Sequence, residues 1–229
     1  MVRHGGAGSL PDHEAALAKE GWVFIIVGLG LCGVGAVLAR SFGVTGPGYG
    51  VSALGLGFAL FCGYFFRDPE RPYPTDQSLL YSPGDGRVLT VGPESERPGV
   101  TVRIFLSIFD VHIQRFPCWG TVRDVHAEEG GFVAAMKPEA DKNMRNVVHI
   151  AQDSRPGEVI VEQITGLIAR RIRCWTDVGD RAEAGRRYGL IMFGSQVAVH
   201  LPPDVRPTVK PGDRVTGGVT PIGEWTKKN

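Results

Sequence analysis

The stretch IMFGSQVAVHLP, residues 191–202, has the clearest strand pattern in the chain. Every second side chain from residue 191 to residue 201 is apolar except Ser195, and this is the period of a β-strand. A continuous strand would therefore place the Ser195 hydroxyl on one face with five apolar side chains. A hydroxyl there needs a hydrogen-bond partner, and a bond to neighbouring backbone is the ordinary interpretation.

Similar short apolar stretches, rich in β-branched residues and separated by turn signals, recur from about residue 75 onward. With 32 glycines and 16 prolines in the chain, this texture predicts a mostly β (α+β) domain, with one helix at 131–140. The predicted strands are 87–91, 100–108, 147–150, 159–164, 168–174, 188–193, 196–201 and 214–219.

A faint internal repeat joins residues 179–182 (GDRA) to residues 212–215 (GDRV), each followed by a further glycine, Gly185 or Gly218. Each Gly-Asp pair suits a tight turn that enters a strand. Two such half-units are typical of the barrel-sandwich modules that carry lipoyl or biotinyl groups. We therefore expect barrel-sandwich-like character, although a likeness of turns does not determine function.

Two uncharged runs, residues 22–39 and 49–66, precede this domain and are joined by a Gly-Pro-Gly turn. At 1.5 Å per residue each run is about 27 Å long, close to the ~30 Å of a bilayer core. Recurrent glycine disfavours the alternative of two buried core helices, because glycine weakens helices in water but permits close helix contact in membranes. We predict a polar segment over 1–20, a membrane-associated helical hairpin over 21–71, which spans the bilayer or dips into one leaflet, and a β-rich domain over 72–229.

The charges that flank the hairpin predict its orientation. Arg3, Lys19, Arg67 and Arg71 lie at the outer ends, against Arg40 alone near the turn. Because basic residues accumulate on the cytoplasmic side, both ends and the β-rich domain are expected there, at the cell membrane.

Composition excludes several classes of protein. Hydrophobic residues make up 43% and charged residues 21% of the chain, as in globular domains. The net charge of +1 gives no signal for a nucleic-acid partner. The four cysteines form no C-x-x-C motif and no close Cys/His group, so we expect reduced structural thiols and no metal site.

Five motifs, in order along almost the whole chain, resemble the short bacterial form of the phosphatidylserine decarboxylase proenzymes. They are 66–71 (FRDPER), 82–88 (SPGDGRV), 109–115 (FDVHIQR), 163–172 (QITGLIARRI) and 193–202 (FGSQVAVHLP).

The resemblance implies an enzyme, a carbon-carbon lyase that converts phosphatidylserine of the membrane into phosphatidylethanolamine. It implies that the proenzyme cuts itself between Gly194 and Ser195, and that Ser195 becomes a covalent pyruvoyl group. The fragments 1–194 and 195–229 would remain together as a heterodimer, and assembly into a homo-oligomer is left open. The pyruvoyl ketone would form a Schiff base with the substrate amine and act as an electron sink.

Three further residues have expected roles in this chemistry. Gly194 lacks a Cβ, so its carbonyl can be approached closely by the Ser195 hydroxyl. A nucleophilic serine needs a base, and the base needs an orienting group. His112 is the candidate base and Asp85 the candidate orienting carboxylate. Without the resemblance, Asp85 would be an ordinary Asp-Gly turn residue and His112 a strand histidine paired with Asp110.

Two positions depart from the family pattern. Longer relatives have a second histidine, linked to self-cleavage, where this chain has Arg115, which cannot serve as a base. Either His112 serves both steps or another group takes the first. Residues 143–146 read NMRN where the family more often shows NERN.

Two other functions compete with this interpretation. One is a pyruvoyl decarboxylase that acts on a soluble amino acid. The other is a non-enzymatic membrane adaptor, in which the hairpin is an anchor and the barrel-sandwich module binds a partner.

Overall fold

The computed structural model describes residues 16–94, 97–133, 142–153, 155, 157–166 and 171–226, together with the backbone of Val2–His4. The chain divides into two compact units, Glu14–Glu70 and residues 71–229 together with the first 13. Most of the helix predicted at 131–140 lies outside the described residues.

The smaller unit is a pair of apolar helices, α1 (Gly21–Ser41) and α2 (Thr45–Phe65). Both are long and apolar enough to cross a membrane by length and composition, as predicted. Many of their large apolar side chains are exposed, among them Leu54, which is 77% exposed. Exposed apolar side chains on two such helices indicate association with a membrane.

The helices contact each other through small residues. A Cβ added to Gly35 would lie 2.5 Å from the carbonyl oxygen of Gly48, and one added to Gly55 would lie 2.5 Å from the backbone nitrogen of Cys32. The Ser52 hydroxyl donates a 2.8 Å hydrogen bond to the Cys32 carbonyl oxygen across the pair. Glycine therefore allows the two backbones to approach closely, as in membrane helix pairs.

The larger unit is built from short strands. They are β1 Val2–His4, β2 Leu79–Tyr81, β3 Gly86–Glu94, β4 Arg97–Leu106, β5 Ile113–Arg115, β6 Gly120–Glu128, β7 Arg145–Ala151, β8 Glu158–Ile164, β9 Arg171–Cys174, β10 Arg181–Ala182, β11 Arg187–Met192, β12 Ser195–Leu201, β13 Val205–Pro207, β14 Arg214–Val215 and β15 Pro221–Trp225.

Eight of these strands form a curled, half-barrel sheet in the order β10-β6-β7-β8-β12-β4-β3-β14. Smaller sheets have the orders β1-β9-β11-β5 and β13-β15-β2. Among these named strands only β1 and β9 pair in parallel. The expected fold class, a mostly β domain preceded by a helical hairpin, is confirmed.

The two Gly-Asp turns of the sequence repeat make equivalent backbone hydrogen bonds. In each copy the glycine and the aspartate bond to one valine of the neighbouring strand, and the strand that follows lies at an edge of the eight-stranded sheet. The donor-to-acceptor bonds are Gly179 to Val122 (2.8 Å), Val122 to Asp180 (2.9 Å), Gly212 to Val88 (2.9 Å) and Val88 to Asp213 (2.9 Å). Two equivalent half-units therefore close the two ends of this sheet, which gives the domain its barrel-sandwich-like character.

The four cysteines are free thiols, and all but Cys32 are buried. Burial raises the pKa of Cys118 to about 12 and that of Cys174 to about 11. Thiols with such pKa values are poor nucleophiles at neutral pH, so Cys118 and Cys174 act as packing residues.

Candidate active site

The turn before Ser195 interrupts the alternating pattern of residues 191–202, between the two strands predicted at 188–193 and 196–201. Strand β11 ends at Met192 and β12 begins at Ser195, and the two belong to different sheets. Phe193 has a φ of 70° and Gly194 a φ of 76°. Among the described residues Phe193 is the only one other than glycine with a positive φ, a conformation that costs about 1–2 kcal/mol. The backbone is therefore strained beside the expected cleavage point.

Gly194 has room for a side chain. The nearest heavy atom to a Cβ added there would be Cγ2 of Ile108, at 3.9 Å. The requirement for glycine therefore comes from the left-handed backbone and not from a crowded neighbourhood.

Ser195 is fully buried at the start of β12, where it lies opposite Leu106 of β4. It shares the core-facing side of β12 with Val197, Val199 and Leu201, three apolar residues instead of the five expected of a continuous strand. Within the described part of the chain, the Ser195 hydroxyl has no hydrogen-bond partner. A buried hydroxyl without a partner is costly, and this excludes the ordinary interpretation of a serine bonded to nearby backbone.

His112 is also fully buried and lies beside Gly194. The backbone nitrogen of Gly194 donates to Nε2 of His112 at 3.3 Å, and Nδ1 lies 3.0 Å from the carbonyl oxygen of Asp110. A carbonyl oxygen can only accept and a backbone N–H can only donate. The two bonds together require a neutral ring with its proton on Nδ1, so that Nε2 offers a basic lone pair towards Gly194.

His112 is bonded by the backbone carbonyl of Asp110, whereas the Asp110 side chain has other partners. Its carboxylate accepts from the backbone nitrogen of Ser107 at 2.9 Å and from Arg214 at 3.1 Å. These contacts hold the turn whose backbone carbonyl orients His112.

The carboxylate of Asp85 is bonded to residues other than His112. Its two carboxylate oxygens accept hydrogen bonds from the Arg71 guanidinium at 2.6 and 2.8 Å, and the backbone nitrogen of Gly217 donates to one of them at 2.8 Å. The structure therefore does not join Asp85 to His112, and the orienting role of Asp85 stays a prediction.

The turn that carries Asp85 lies close to the cleavage point all the same. A Cβ added to Gly84 would lie 3.5 Å from a methyl carbon of Leu106, the residue opposite Ser195, and 3.7 Å from one of Val197. The carbonyl oxygen of Pro83 accepts a 2.8 Å bond from the backbone nitrogen of Arg115, at the end of β5. Ion pairing of Asp85 thus fixes a turn that supports both β4 and β12.

A chain of buried amide side chains fixes the backbone of His112. Gln114 donates to the His112 carbonyl oxygen at 2.8 Å, and Gln163 donates to Gln114 at 2.9 Å. Asn146 in turn donates to Gln163 at 3.0 Å. The NMRN segment is thereby linked to the histidine through the strand that contains Gln163.

Arg115 occupies a structural position. Its side chain is buried and donates to the carbonyl oxygen of Gly185 at 2.9 Å. A Cβ added to Gly218 would lie 2.9 Å from Cδ of Arg115, so the arginine contacts equivalent glycines of the two half-units. The residue that replaces the second histidine therefore contributes to the packing of the fold.

The sequence profile of the phosphatidylserine decarboxylase family matches residues 58–223. This chain belongs to that family. Phosphatidylserine decarboxylase proenzymes similar to it come from Wolbachia sp. subsp. Brugia malayi (37% identity; 96% of this chain, 94% of the relative), Symbiobacterium thermophilum (42%; 90% and 94%) and Trichlorobacter lovleyi (39%; 91% and 96%).

Membership of the phosphatidylserine decarboxylase family confirms the resemblance drawn from the five motifs, and with it the carboxy-lyase activity of a proenzyme. The family also implies the pyruvoyl cofactor expected from the sequence. Ser195 fits that group, because its hydroxyl is buried and unbonded and follows a glycine in the left-handed conformation.

Two contributions to the phosphatidylserine decarboxylase site were missed from the sequence. Arg71 belongs to the quoted FRDPER motif, but only the structure shows its bidentate contact with Asp85. The strained Phe193 could have been found, since a turn within an alternating pattern is signalled by the glycine that follows it.

Proposed function

We propose that this proenzyme cuts itself between Gly194 and Ser195, converts Ser195 into the pyruvoyl group, and decarboxylates phosphatidylserine on the cytoplasmic side of the membrane. The observation that carries the proposal is the buried, unbonded hydroxyl of Ser195, which follows two left-handed residues beside a neutral His112.

The self-cleavage uses atoms of this chain and one water. The Ser195 hydroxyl oxygen attacks the Gly194 carbonyl carbon, and the peptide C–N bond breaks as the nitrogen gains a proton, which leaves an ester. Loss of the Ser195 α-proton expels the Gly194 carboxylate and leaves dehydroalanine. Water then releases ammonia from this residue, and a pyruvoyl group remains at the N-terminus of residues 195–229.

His112 is the base that these steps require. Its Nε2 lone pair faces the Gly194 backbone, and its Nδ1 proton is held by the Asp110 carbonyl. A neutral imidazole in this tautomer can accept a proton at Nε2 and return it later, which is general acid–base catalysis. We assign both self-cleavage and reprotonation of the decarboxylated substrate to this nitrogen, because Arg115 is buried in the fold and cannot act as a base.

Asp85 acts as a positioning residue. Its pairing with Arg71 and Gly217 fixes the 82–85 turn, which packs against Leu106, opposite Ser195, and against Val197 of β12. The carboxylate therefore supports the geometry of Ser195 through packing.

The two fragments remain associated as a heterodimer. Strand β12 belongs to the small fragment, and it pairs along its length with β4 and β8 of the large one. Strands β14 and β15 of the small fragment likewise pair with β3 and β2. Cleavage at Gly194 leaves all of these ladders in place, so the fragments separate only when the sheets unfold.

The pyruvoyl ketone supplies the electron sink for loss of carbon dioxide. The test is to offer the purified protein phosphatidylserine in detergent micelles and, in parallel, free serine and other soluble amino acids. Carbon dioxide and an ethanolamine lipid should form only with the phospholipid. Release of carbon dioxide from a soluble amino acid would favour the soluble-substrate decarboxylase, and absence of any reaction from a cut protein would overturn the proposal.

The membrane side has its own test. The basic residues at the outer ends of the hairpin support a cytoplasmic position for the catalytic domain. Protease added to inside-out vesicles should degrade residues 72–229, whereas in right-side-out vesicles the domain should be protected. Protection in inside-out vesicles would place the domain on the opposite side.

Anchoring by the hairpin can be tested with charges at its exposed surface. Leu31 and Leu54 lie near the middle of α1 and α2 and are 47% and 77% exposed. An arginine at either position should cost about 3 kcal/mol of insertion free energy, so that the double variant Leu31→Arg/Leu54→Arg is released from membranes. The control Phe42→Arg, between the helices, should sediment with membranes like the wild type.

A further inference from the structure

A group of metal-ligating side chains lies on the eight-stranded sheet and shares no residue with the site around Ser195. Asp124 and His126 are on β6, and His149 is on the neighbouring β7, directly opposite Asp124 in the register. The two imidazole rings have centroids 5.8 Å apart. Pairing of the strands thus brings His149 to two side chains of β6 from which it is remote in the sequence.

The ligand atoms of this Asp124–His126–His149 group all lie within 4.8 Å of one another. Two imidazoles with one carboxylate are a ligand set that Zn²⁺ and similar divalent transition metals prefer. Ligand atoms around a tetrahedral zinc are about 3.3 Å apart. These side chains are partly exposed, so they have room to rotate towards an ion.

A glutamate outside the group also lies near one ring nitrogen of each histidine, which leaves the other nitrogen for an ion. Glu158 of β8 lies 3.0 Å from Nδ1 of His149, and Glu128 lies 3.4 Å from Nε2 of His126. Nδ1 of His126, 2.6 Å from Asp124, is then the nitrogen that faces the group. A carboxylate behind each metal-binding imidazole fixes its tautomer and increases its basicity, which is the usual outer arrangement of a zinc site.

We propose that Asp124, His126 and His149 bind one divalent transition-metal ion, best matched by Zn²⁺, with Glu128 and Glu158 as supporting carboxylates. Three protein ligands leave a fourth position for water. The ion joins β6 to β7, and through Glu158 it also involves β8. Its expected effect is to stabilise this part of the sheet.

The test uses the full-length, untagged protein in detergent after removal of metals with a chelator. Titration with zinc chloride in a calorimeter should show one ion bound per chain, and the melting temperature should rise with added zinc. The double variant His126→Gln/His149→Gln should lose both effects, and Glu158→Gln should bind zinc 10- to 100-fold more weakly.

A matched control removes two other histidines, which lie near the N-terminus of the chain. The variant His4→Gln/His13→Gln should bind zinc as the wild type does. Unchanged zinc binding by His126→Gln/His149→Gln, or absence of binding by the wild type, would overturn the proposal. Circular dichroism establishes that each variant is folded, and Glu158→Gln keeps the test decisive if the double variant is not.

Discussion

Nε2 of His112 accepts a 3.3 Å hydrogen bond from the backbone nitrogen of Gly194, the residue before the buried Ser195. His112 and Gly194 are separated by 82 positions in the sequence, and β11 and β5 bring them together by pairing Ile113 with Leu190. The imidazole that we propose as the base is therefore positioned by the sheet, and its tautomer is set by the Asp110 carbonyl oxygen.

Replacement of His112 should slow both chemical steps, because both are assigned to its Nε2. His112→Ala removes the base and the proton donor, so self-cleavage should slow, and decarboxylation by the chains that are cut should fall by about 10²–10⁴-fold. Fragment formation on gels and production of ethanolamine lipid should be measured separately, with His13→Gln as the control. Normal cutting together with a near wild-type rate of decarboxylation would show that the histidine is wrongly assigned.

Substitutions of Asp85 and Arg71 should have non-additive effects on the rate of self-cleavage. Loss of one partner leaves a largely buried charge without its counter-ion, which costs about 3 kcal/mol. Asp85→Asn and Arg71→Gln should each slow self-cleavage, and the double variant should be little slower than either single one. The time course of cutting measures this.

The chain offers a matched control for that pair. Arg206 and Glu224 form an ion pair of the same 2.6 Å length, with Arg206 70% exposed. Arg206→Gln should leave the rate of cutting unchanged, because exposed pairs contribute little. Additive losses in the Asp85/Arg71 double variant would mean that the two residues act independently.

Gly194 should tolerate alanine better than its position suggests. The added methyl group has room, and only the left-handed backbone opposes it, at about 1 kcal/mol. Gly194→Ala should therefore fold and still cut, more slowly than the wild type. By contrast, an alanine at Gly86 would place Cβ 2.0 Å from the Phe105 carbonyl oxygen, and Gly86→Ala should fail to fold. An aggregated Gly194→Ala protein would contradict the small cost of about 1 kcal/mol expected at this position.

The glycines of the hairpin should divide into two classes. A Cβ on Gly35 would meet the backbone of the other helix at 2.5 Å, whereas one on Gly33 would meet no atom within 4 Å. Gly35→Ala should therefore disrupt the helix pair, and Gly33→Ala should stabilise α1 by up to about 1 kcal/mol. Thermal unfolding in detergent measures both. Equal effects of the two substitutions would contradict this packing of the helices.

Much of the fold is predictable from local pattern, and the exceptions have physical causes. The hairpin is visible because two long runs lack charge, and the half-units because each turn needs glycine and aspartate. Strand β6 was not predicted, because its register shifts between Val122 and Asp124 and the two-residue period is lost. The Asp124–His126–His149 group could not be recognised in the sequence, since only strand pairing brings His149 to Asp124.

In the candidate site, too, some residues could be predicted from the sequence, whereas several contacts are shown only by the structure. Ser195, Gly194 and His112 could be predicted as candidates because their motifs resemble a family, and these three residues lie close together in the structure. The partner of Asp85 could not be predicted, because nothing in the sequence distinguishes a carboxylate that bonds a histidine from one that bonds Arg71. The hydrogen-bonded amide side chains from Asn146 to His112 could not be predicted either, because their contacts depend on the register of β7, β8 and β5.

Intact mass spectrometry of the purified wild-type protein is the sharpest test of self-cleavage between Gly194 and Ser195. We expect two species, residues 1–194 with a free carboxylate and residues 195–229 with a pyruvoyl group in place of the N-terminal serine, whose summed mass reflects the gain of one water and the loss of one ammonia. Ser195→Ala, which has no hydroxyl to accept the acyl group, should give a single uncut and inactive chain. An uncut wild-type chain that decarboxylates phosphatidylserine, or cleavage at any other bond, would contradict the account.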